Sequence, residues 1–291
     1  ASRWPCPSPF HAQAASPAPR EPERPMRLRT TVVYLAFLFS GSAALIYQRA
    51  GAPQQGIEFL QTLQLTGRKE AYRLTAIGLL RQAAGQEDEA LAAFLAALEL
   101  DPSVGRALQG AYVILKKRGN QPELVKILRR SLDVEAVTVA VRAANWLALA
   151  LEASGDREGA RSALLAAIGK APDDVTTLTN LGSMLTREDR AAEGLPYLER
   201  ASARRPNSFE VQVNLIIAHG KLGRLDEARE IFAKAALPEE RFELYNAIAY
   251  ACFLNGANQD ADMYIKRSLA LNHSQADALR LQEEIDRKGR L

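Results

Sequence analysis

The chain matches itself best when it is slid along by about 34 residues. A recurrence of that length holds one helix-turn-helix unit, and a lone unit cannot bury its own apolar face. Copies must therefore stack, and the domain grows as a rod with no single centre. Residues 71–104 (AYRLTAIGLLRQAAGQEDEALAAFLAALELDPSV) set the frame. Gly78 is the eighth residue of this unit, Gly85 the fifteenth, Ala90 the twentieth, Phe94 the twenty-fourth, Ala97 the twenty-seventh and Pro102 the thirty-second. The frame recurs five more times. Residues 105–138 keep Gly119 but place Leu124 and Ser131 where alanines are expected and lack the closing proline. Residues 141–174 restore Gly155, Ala160, Ala167 and Pro172, and residues 175–208 carry Gly182, Leu198, Ala201 and Pro206 with Gly194 at the twentieth place. Residues 209–240 show Gly223, Ala228, Phe232 and Ala235, with Pro238 two residues early, and residues 242–275 keep Gly256 and Ala261 but end on His273.

Each recurring residue has a physical reason. The eighth and twentieth positions are where the first helix of a unit (A) and the second (B) cross most closely, so only Gly or Ala fits; Gly78 against Ala90 is the expected pair, and a larger side chain there overpacks the crossing. Glycine at the fifteenth place ends helix A in the left-handed conformation that other residues resist. Asp101-Pro102 stops helix B, because proline has no amide hydrogen and disfavours helix in the residue before it. Composition agrees: Ala and Leu dominate, aromatic residues supply 7%, and alternating runs of Val, Ile and Thr are missing, so a sheet has little to be built from.

This pattern resembles the tetratricopeptide repeat, and residues 71–104 match it at nearly every diagnostic position. The resemblance covers residues 71–275, about seventy per cent of the chain. It implies an all-α fold: a right-handed α-solenoid of about six repeats with a concave groove lined by the A helices. Residues 276–291 read as a capping helix and tail, with Ala276–Lys288 (ADALRLQEEIDRK) carrying apolar residues on one stripe. Residues 49–70 read as a linker with a short helix over Ile57–Leu65 that can pack on the first repeat.

The start of the chain is different in kind. Residues 1–25 hold seven prolines and cannot sustain regular structure, so residues 1–29 read as a disordered Pro-rich and then basic segment. Met26 opens Met-Arg-Leu-Arg-Thr ahead of an apolar run, as an export signal does. No charge falls between Thr30 and Gln48, and Val32–Tyr47 is apolar almost throughout. Residues 30–48 are expected to form one hydrophobic helix, either a signal anchor in the membrane or a signal peptide cleaved near Gly41-Ser42-Ala43 or Ser42-Ala43-Ala44; an ordinary buried helix is the third reading. Arg27 and Arg29 on its amino side put the repeats across an inner membrane, on the periplasmic face, or free in the periplasm after cleavage. A reporter phosphatase fused after residue 60 checks that orientation.

In relatives of this pattern, A-helix positions two, five, six, nine, twelve and thirteen face the groove. Here the resemblance assigns to a peptide-binding groove Arg106, Gln109, Lys116 and Lys117 of the second repeat, Arg142 and Asn145 of the third, and Thr179, Asn180, Ser183 and Arg187 of the fourth. Asn214 and Lys221 of the fifth and Asn246 and Tyr250 of the sixth complete it. Asparagine amides both donate and accept, so Asn180 and Asn214 can hold the backbone of an extended peptide, with Asn145 and Asn246 one place earlier in the frame. The arginines and lysines would draw an acidic segment or a C-terminal carboxylate. Their spacing does not reproduce the two-carboxylate clamp of chaperone-docking relatives.

The partner implied is a protein or peptide, extended or acidic, with the membrane contacted through the N-terminal run. The expected role is a membrane-tethered scaffold or adaptor; the alternative is an accessory or assembly subunit of an envelope, secretion, pilus or cytochrome-maturation machinery. A net charge of +3 with both signs interleaved gives no basic field for nucleic acid. No enzyme, cofactor, metal or small-molecule substrate is expected. His11, His219 and His273 are scattered, Cys6 and Cys252 sit at opposite ends, and no GxSxG, HExxH, GxxxxGK or GxGxxG stands in fitting context. His219 reads as a helix-packing residue and Cys252 as a small buried one.

Overall fold

The computed structural model describes residues 42–235 and 240–289. The Pro-rich segment, the apolar run up to residue 41 and Pro238 lie outside the described residues. Within them the chain forms fifteen helices and no strand. Two short helices come first, α1 (Ser42–Arg49) and α2 (Pro53–Gln61). Six A/B pairs follow: α3 (Gly67–Ala83) with α4 (Glu87–Leu100), α5 (Gly105–Lys117) with α6 (Gln121–Arg130), and α7 (Val137–Ala153) with α8 (Arg157–Lys170). The series continues with α9 (Val175–Arg187) and α10 (Ala191–Arg204), α11 (Phe209–Lys221) and α12 (Leu225–Lys234), and α13 (Phe242–Leu254) and α14 (Asn258–Leu271). A last helix, α15 (Ala276–Gly289), closes the series.

The two helices of every pair are joined by the same three-residue turn, whose middle residue has positive φ: Gly85, Gly119, Gly155, Gly223 and Gly256 in five repeats and Asp189 in the fourth. In each turn the amide after that residue returns to a carbonyl five residues back, as Gln86 N does to Arg81 O (2.9 Å) and Arg190 N to Leu185 O (2.9 Å). This is the Schellman closure that a left-handed residue makes possible. Asp189 adopts it at φ 60 without glycine's freedom. Its carboxylate accepts from Lys221 Nζ at 2.6 Å, and the ammonium beside it holds the Asp189 carboxyl below its ordinary value.

Each B helix packs on its own A helix and on the next A helix, so the core is a ribbon running the length of the stack. Its widest piece is Phe94, fully buried. The expected Gly78–Ala90 crossing is refined here: the room that Gly78 leaves is filled by the Phe94 ring, which also lies against Gly110 of the following A helix. In the fourth repeat the eighth and twentieth positions cross backbone to backbone. A methyl on Gly182 would lie 2.9 Å from Gly194 O, and one on Gly194 would lie 2.6 Å from Gly182 O.

Departures from the frame have local causes. The second repeat has no closing proline, and α7 begins at Val137, four residues ahead of the frame. The short helix expected over Ile57–Leu65 runs instead over Pro53–Gln61, because Pro53 starts it and Thr62 ends it with its hydroxyl on Phe59 O (2.7 Å). Ala44 and Tyr47, which the apolar run included, are buried with Ile57 and Leu60 against Ala76, Ile77 and Leu80 of α3. At the other end Ala278 and Ile285 of α15 are buried against the sixth repeat. No helix among the described residues is long and apolar enough to cross a membrane.

Candidate functional site, the A-helix face

Successive A helices lie side by side, so any position of the 34-residue frame becomes a row down one face of the stack. The ninth position gives Leu79, Val113, Leu149, Ser183, Ile217 and Tyr250, none of which is buried. Val113 is 48% exposed and Leu149 45%. The second position gives Tyr72, Arg106, Arg142, Thr176, Glu210 and Glu243, a row whose charge changes sign along the stack.

At the fifth position two residues, Asn145 and Thr179, are buried and depart from the groove row expected of them, whereas Gln109 is exposed. Asn145 is 5% exposed and its amide is fully used: Nδ2 donates to Val141 O (3.0 Å) and Thr177 Oγ1 (2.8 Å), and Oδ1 accepts from Asn180 Nδ2 (2.8 Å). Thr177 is itself held by the N-cap carboxylate of Asp174, with Oγ1 donating to it at 2.6 Å. Thr179 is buried and bonds Val175 O at 2.7 Å. Asn145 therefore ties α7 to α9, Thr179 bonds within α9, and neither stands in the open groove. Asn180 and Asn214 are partly exposed; each has one N–H engaged, Asn214 with Glu210 O (2.8 Å), and neither side-chain oxygen has a partner among the described residues.

Among the cations, Lys117 pairs with Glu87 (2.6 Å), Arg187 with Glu152 (2.7 Å) and Ser183 (2.5 Å), and Lys221 with Asp189. Those three are neutralised. Arg106, Lys116 and Arg142 are exposed, and no carboxylate among the described residues pairs with them. Lys116 Nζ lies 5.6 Å from the Tyr112 ring centre and Arg142 5.9 Å from that of Trp146. The two rings stack on each other, centroids 4.2 Å apart and 12° from parallel. Gln109 is exposed beside this cluster. Tyr112 and Trp146 are not among the groove residues named from the sequence: Tyr112 occupies the eighth position, where a small residue is the rule, and Trp146 the sixth, a groove position, so each carried a signal.

At the C-terminal end α11, α13 and α15 border an open hollow of about 450 Å³. Its floor is apolar, from Val213, Ile217, Ala247, Tyr250, Ala278 and Leu281, and Asn246 lies in its wall. Asn246 Nδ2 donates to Gln275 Oε1 (2.5 Å), which orients the amide, while its buried Oδ1 has no hydrogen-bond partner. Glu243, Asp277, Arg280 and Glu284 rim it.

Groups with catalytic potential are elsewhere. Cys252 is fully buried and its thiol is pushed up by that burial, with the nearby Arg229 opposing in part. Burial also lowers the affinity of His219 for a proton, and its Nδ1 has no partner. Among the described residues no three His, Cys, Asp or Glu side chains converge as metal ligands would.

Residues 71–104 and residues 185–252 each match a family model described as tetratricopeptide repeat. Among solved structures, the chain is similar to one in the APC/C hetero-tetramer Cut9-Hcn1, with TM-score 0.56 and 17% identity over 91% of this chain; it spans 50% of that chain's length. It is also similar to a tetratricopeptide repeat protein from Parabacteroides merdae, with TM-score 0.55 and 12% identity over 89% of this chain and 99% of the other. MamA AMB-1 aligns with 58% of this chain and 99% of its own at 25% identity and TM-score 0.47. No protein in the curated set matches. The chain thus carries tetratricopeptide repeats, arranged as an all-helical solenoid.

Proposed function

We propose that the chain is a scaffold that holds an extended segment of a protein partner along its A-helix face. The observation that carries this reading is the ninth-position row. Val113 and Leu149 stay open to solvent on neighbouring A helices, with the half-buried Leu79 before them and, past Ser183, Ile217 and Tyr250 after them, and large apolar side chains aligned on one face in this way mark a contact surface. The unpartnered oxygens of Asn180 and Asn214 lie beside it and can accept N–H bonds from a peptide backbone. A photo-crosslinking residue at Leu149 tests the reading against one at Leu165, which is equally exposed (46%) but lies on a B helix. Partner captured from Leu149 and not from Leu165 supports it; capture from Leu165 alone sinks it. A role as accessory or assembly subunit of an envelope machinery would use the same face.

Location is a second proposal. Ala44 and Tyr47 are committed to the first repeat, so the apolar stretch ahead of the fold is residues 32–43. Twelve residues cover ~18 Å as a helix, against roughly 30 Å for a hydrocarbon core, but suit the 7–15-residue core of an export signal. This favours a cleaved leader over a permanent anchor, with the repeats delivered to the periplasm, and of the two cleavage positions the burial of Ala44 favours the one between Ala43 and Ala44. Amino-terminal sequencing of the chain from an envelope extract tests it: Ala44 at the start supports this cleavage, and retention of Met26 rules it out.

A further inference from the structure

We infer that the C-terminal cavity is a specificity pocket for an apolar side chain whose neighbour in the partner is lysine or arginine. The inference rests on the groove reading above and adds the chemistry of the occupant. It begins with the floor. Val213, Ile217, Ala247 and Leu281 leave an apolar hollow of about 450 Å³, large enough for a leucine, methionine or phenylalanine side chain. A partner side chain that fills it is removed from water on several sides at once.

Charge then selects what stands next to that side chain. Three carboxylates, Glu243, Asp277 and Glu284, rim the hollow against one guanidinium, Arg280, which sits 3.6 Å from Asp277. Glu243 and Glu284 have no cationic partner among the described residues. The rim is therefore net negative by two, and an acidic neighbour would be repelled where an ammonium or guanidinium is attracted. Asn246 in the wall is held by Gln275, with its Oδ1 buried, and adds no charge to the rim. This end of the face thus favours cations, whereas the unpaired Arg106, Lys116 and Arg142 of the second and third repeats favour carboxylates. The face has an electrostatic direction: the basic-apolar end of a bound segment lies over α15, and acidic residues lie toward α5 and α7.

The test is selection of random twelve-residue displayed peptides on the purified chain, followed by affinity measurement of the enriched peptides on the parent, on Glu243→Lys/Glu284→Lys and on Lys116→Glu/Arg142→Glu. The expected peptides carry Leu, Ile, Met or Phe within two residues of Lys or Arg. Their affinity falls about tenfold or more on Glu243→Lys/Glu284→Lys and declines with added salt. If charge reversal disturbs folding, as circular dichroism would reveal, Glu243→Gln/Glu284→Gln serves in its place with a fall of several-fold. Enriched peptides without a basic residue, or with affinity unchanged in both Glu243/Glu284 variants, overturn the pocket assignment and leave the groove reading standing if Lys116→Glu/Arg142→Glu still weakens them. Peptides insensitive to every groove substitution, or no enrichment at all, overturn both.

Discussion

Phe94 lies against Gly78 with no room between them: a methyl group on Gly78 would sit 2.6 Å from Cε1 of the ring. The opposite neighbour is just as close, since a methyl on Gly110 would sit 2.4 Å from Cε2. One ring thus locks three helices, α3, α4 and α5, across a repeat boundary. Gly78→Ala or Gly110→Ala must displace a fully buried ring, and overpacking of this kind costs ~1–3 kcal/mol even though alanine is the better helix former. Urea unfolding of the two variants checks the expectation; a variant as stable as the parent would mean that the first two repeats can slide apart freely.

The Asn145 amide joins α7 to α9 through Asn180 and Thr177, and its burial makes it costly to remove. Asn145→Ala leaves the Asn180 N–H and the Thr177 hydroxyl short of a partner, a loss of ~1–3 kcal/mol, whereas Asn180→Ala, at a partly solvated site, costs ~0.5–1.5 kcal/mol. Because the two share one hydrogen bond, the double variant should be less destabilised than the sum of the singles. Additive losses would show that the bond contributes nothing to stability.

Much of the scaffold was legible in the residues, for a reason particular to repeats. The fifteenth-position glycine is demanded by backbone sterics alone, so Gly85, Gly119, Gly155, Gly223 and Gly256 mark their turns without reference to anything distant. Asp189 was not legible, because a turn that tolerates aspartate leaves no glycine to find. The groove was harder. Spacing places position five in the groove, yet Asn145 and Thr179 are buried, and side-chain direction at a helix-helix seam depends on crossing geometry that spacing does not contain. The terminal cavity was missed because the frame stopped at residue 275. Counting Ala276 as the first residue of another A helix puts Asp277, Arg280, Leu281 and Glu284 at positions two, five, six and nine, all of them groove positions.

His219 makes stability depend on pH. Burial lowers its proton affinity below the ordinary 6.5; Arg224 adds to this, while Glu227 and Glu199 oppose it. Between the folded and unfolded values the unfolded chain holds a proton that the folded chain does not. This contribution is therefore complete above about pH 6.5 and is lost as pH falls through the folded value. His219→Leu abolishes that titration. Urea midpoints measured at pH 7.5 and pH 5 should fall less in the variant than in the parent; equal falls would mean that the ring is protonated without cost in the folded chain.

Tyr47 shows where the folded body begins. Its ring carbons fill the notch left by Gly56, where a methyl would lie 2.7 Å from Tyr47 Cγ and 2.8 Å from Leu80 Cδ1. This packing covers the outer side of the first A helix, as terminal caps of a solenoid do, so its removal exposes Ile57, Leu60 and Leu80 together. Tyr47→Ala should cost ~3 kcal/mol, in the range for deleting a buried aromatic ring, and Gly56→Ala ~1–3 kcal/mol through the displaced ring. Starting the chain at residue 44 should leave the unfolding midpoint unchanged, and starting it at residue 50 should lower it and increase protease cleavage near α3. If the chain from residue 50 is as stable as the chain from residue 44, α1 is no part of the cap, and the argument that residues 44–48 are unavailable to a membrane goes with it.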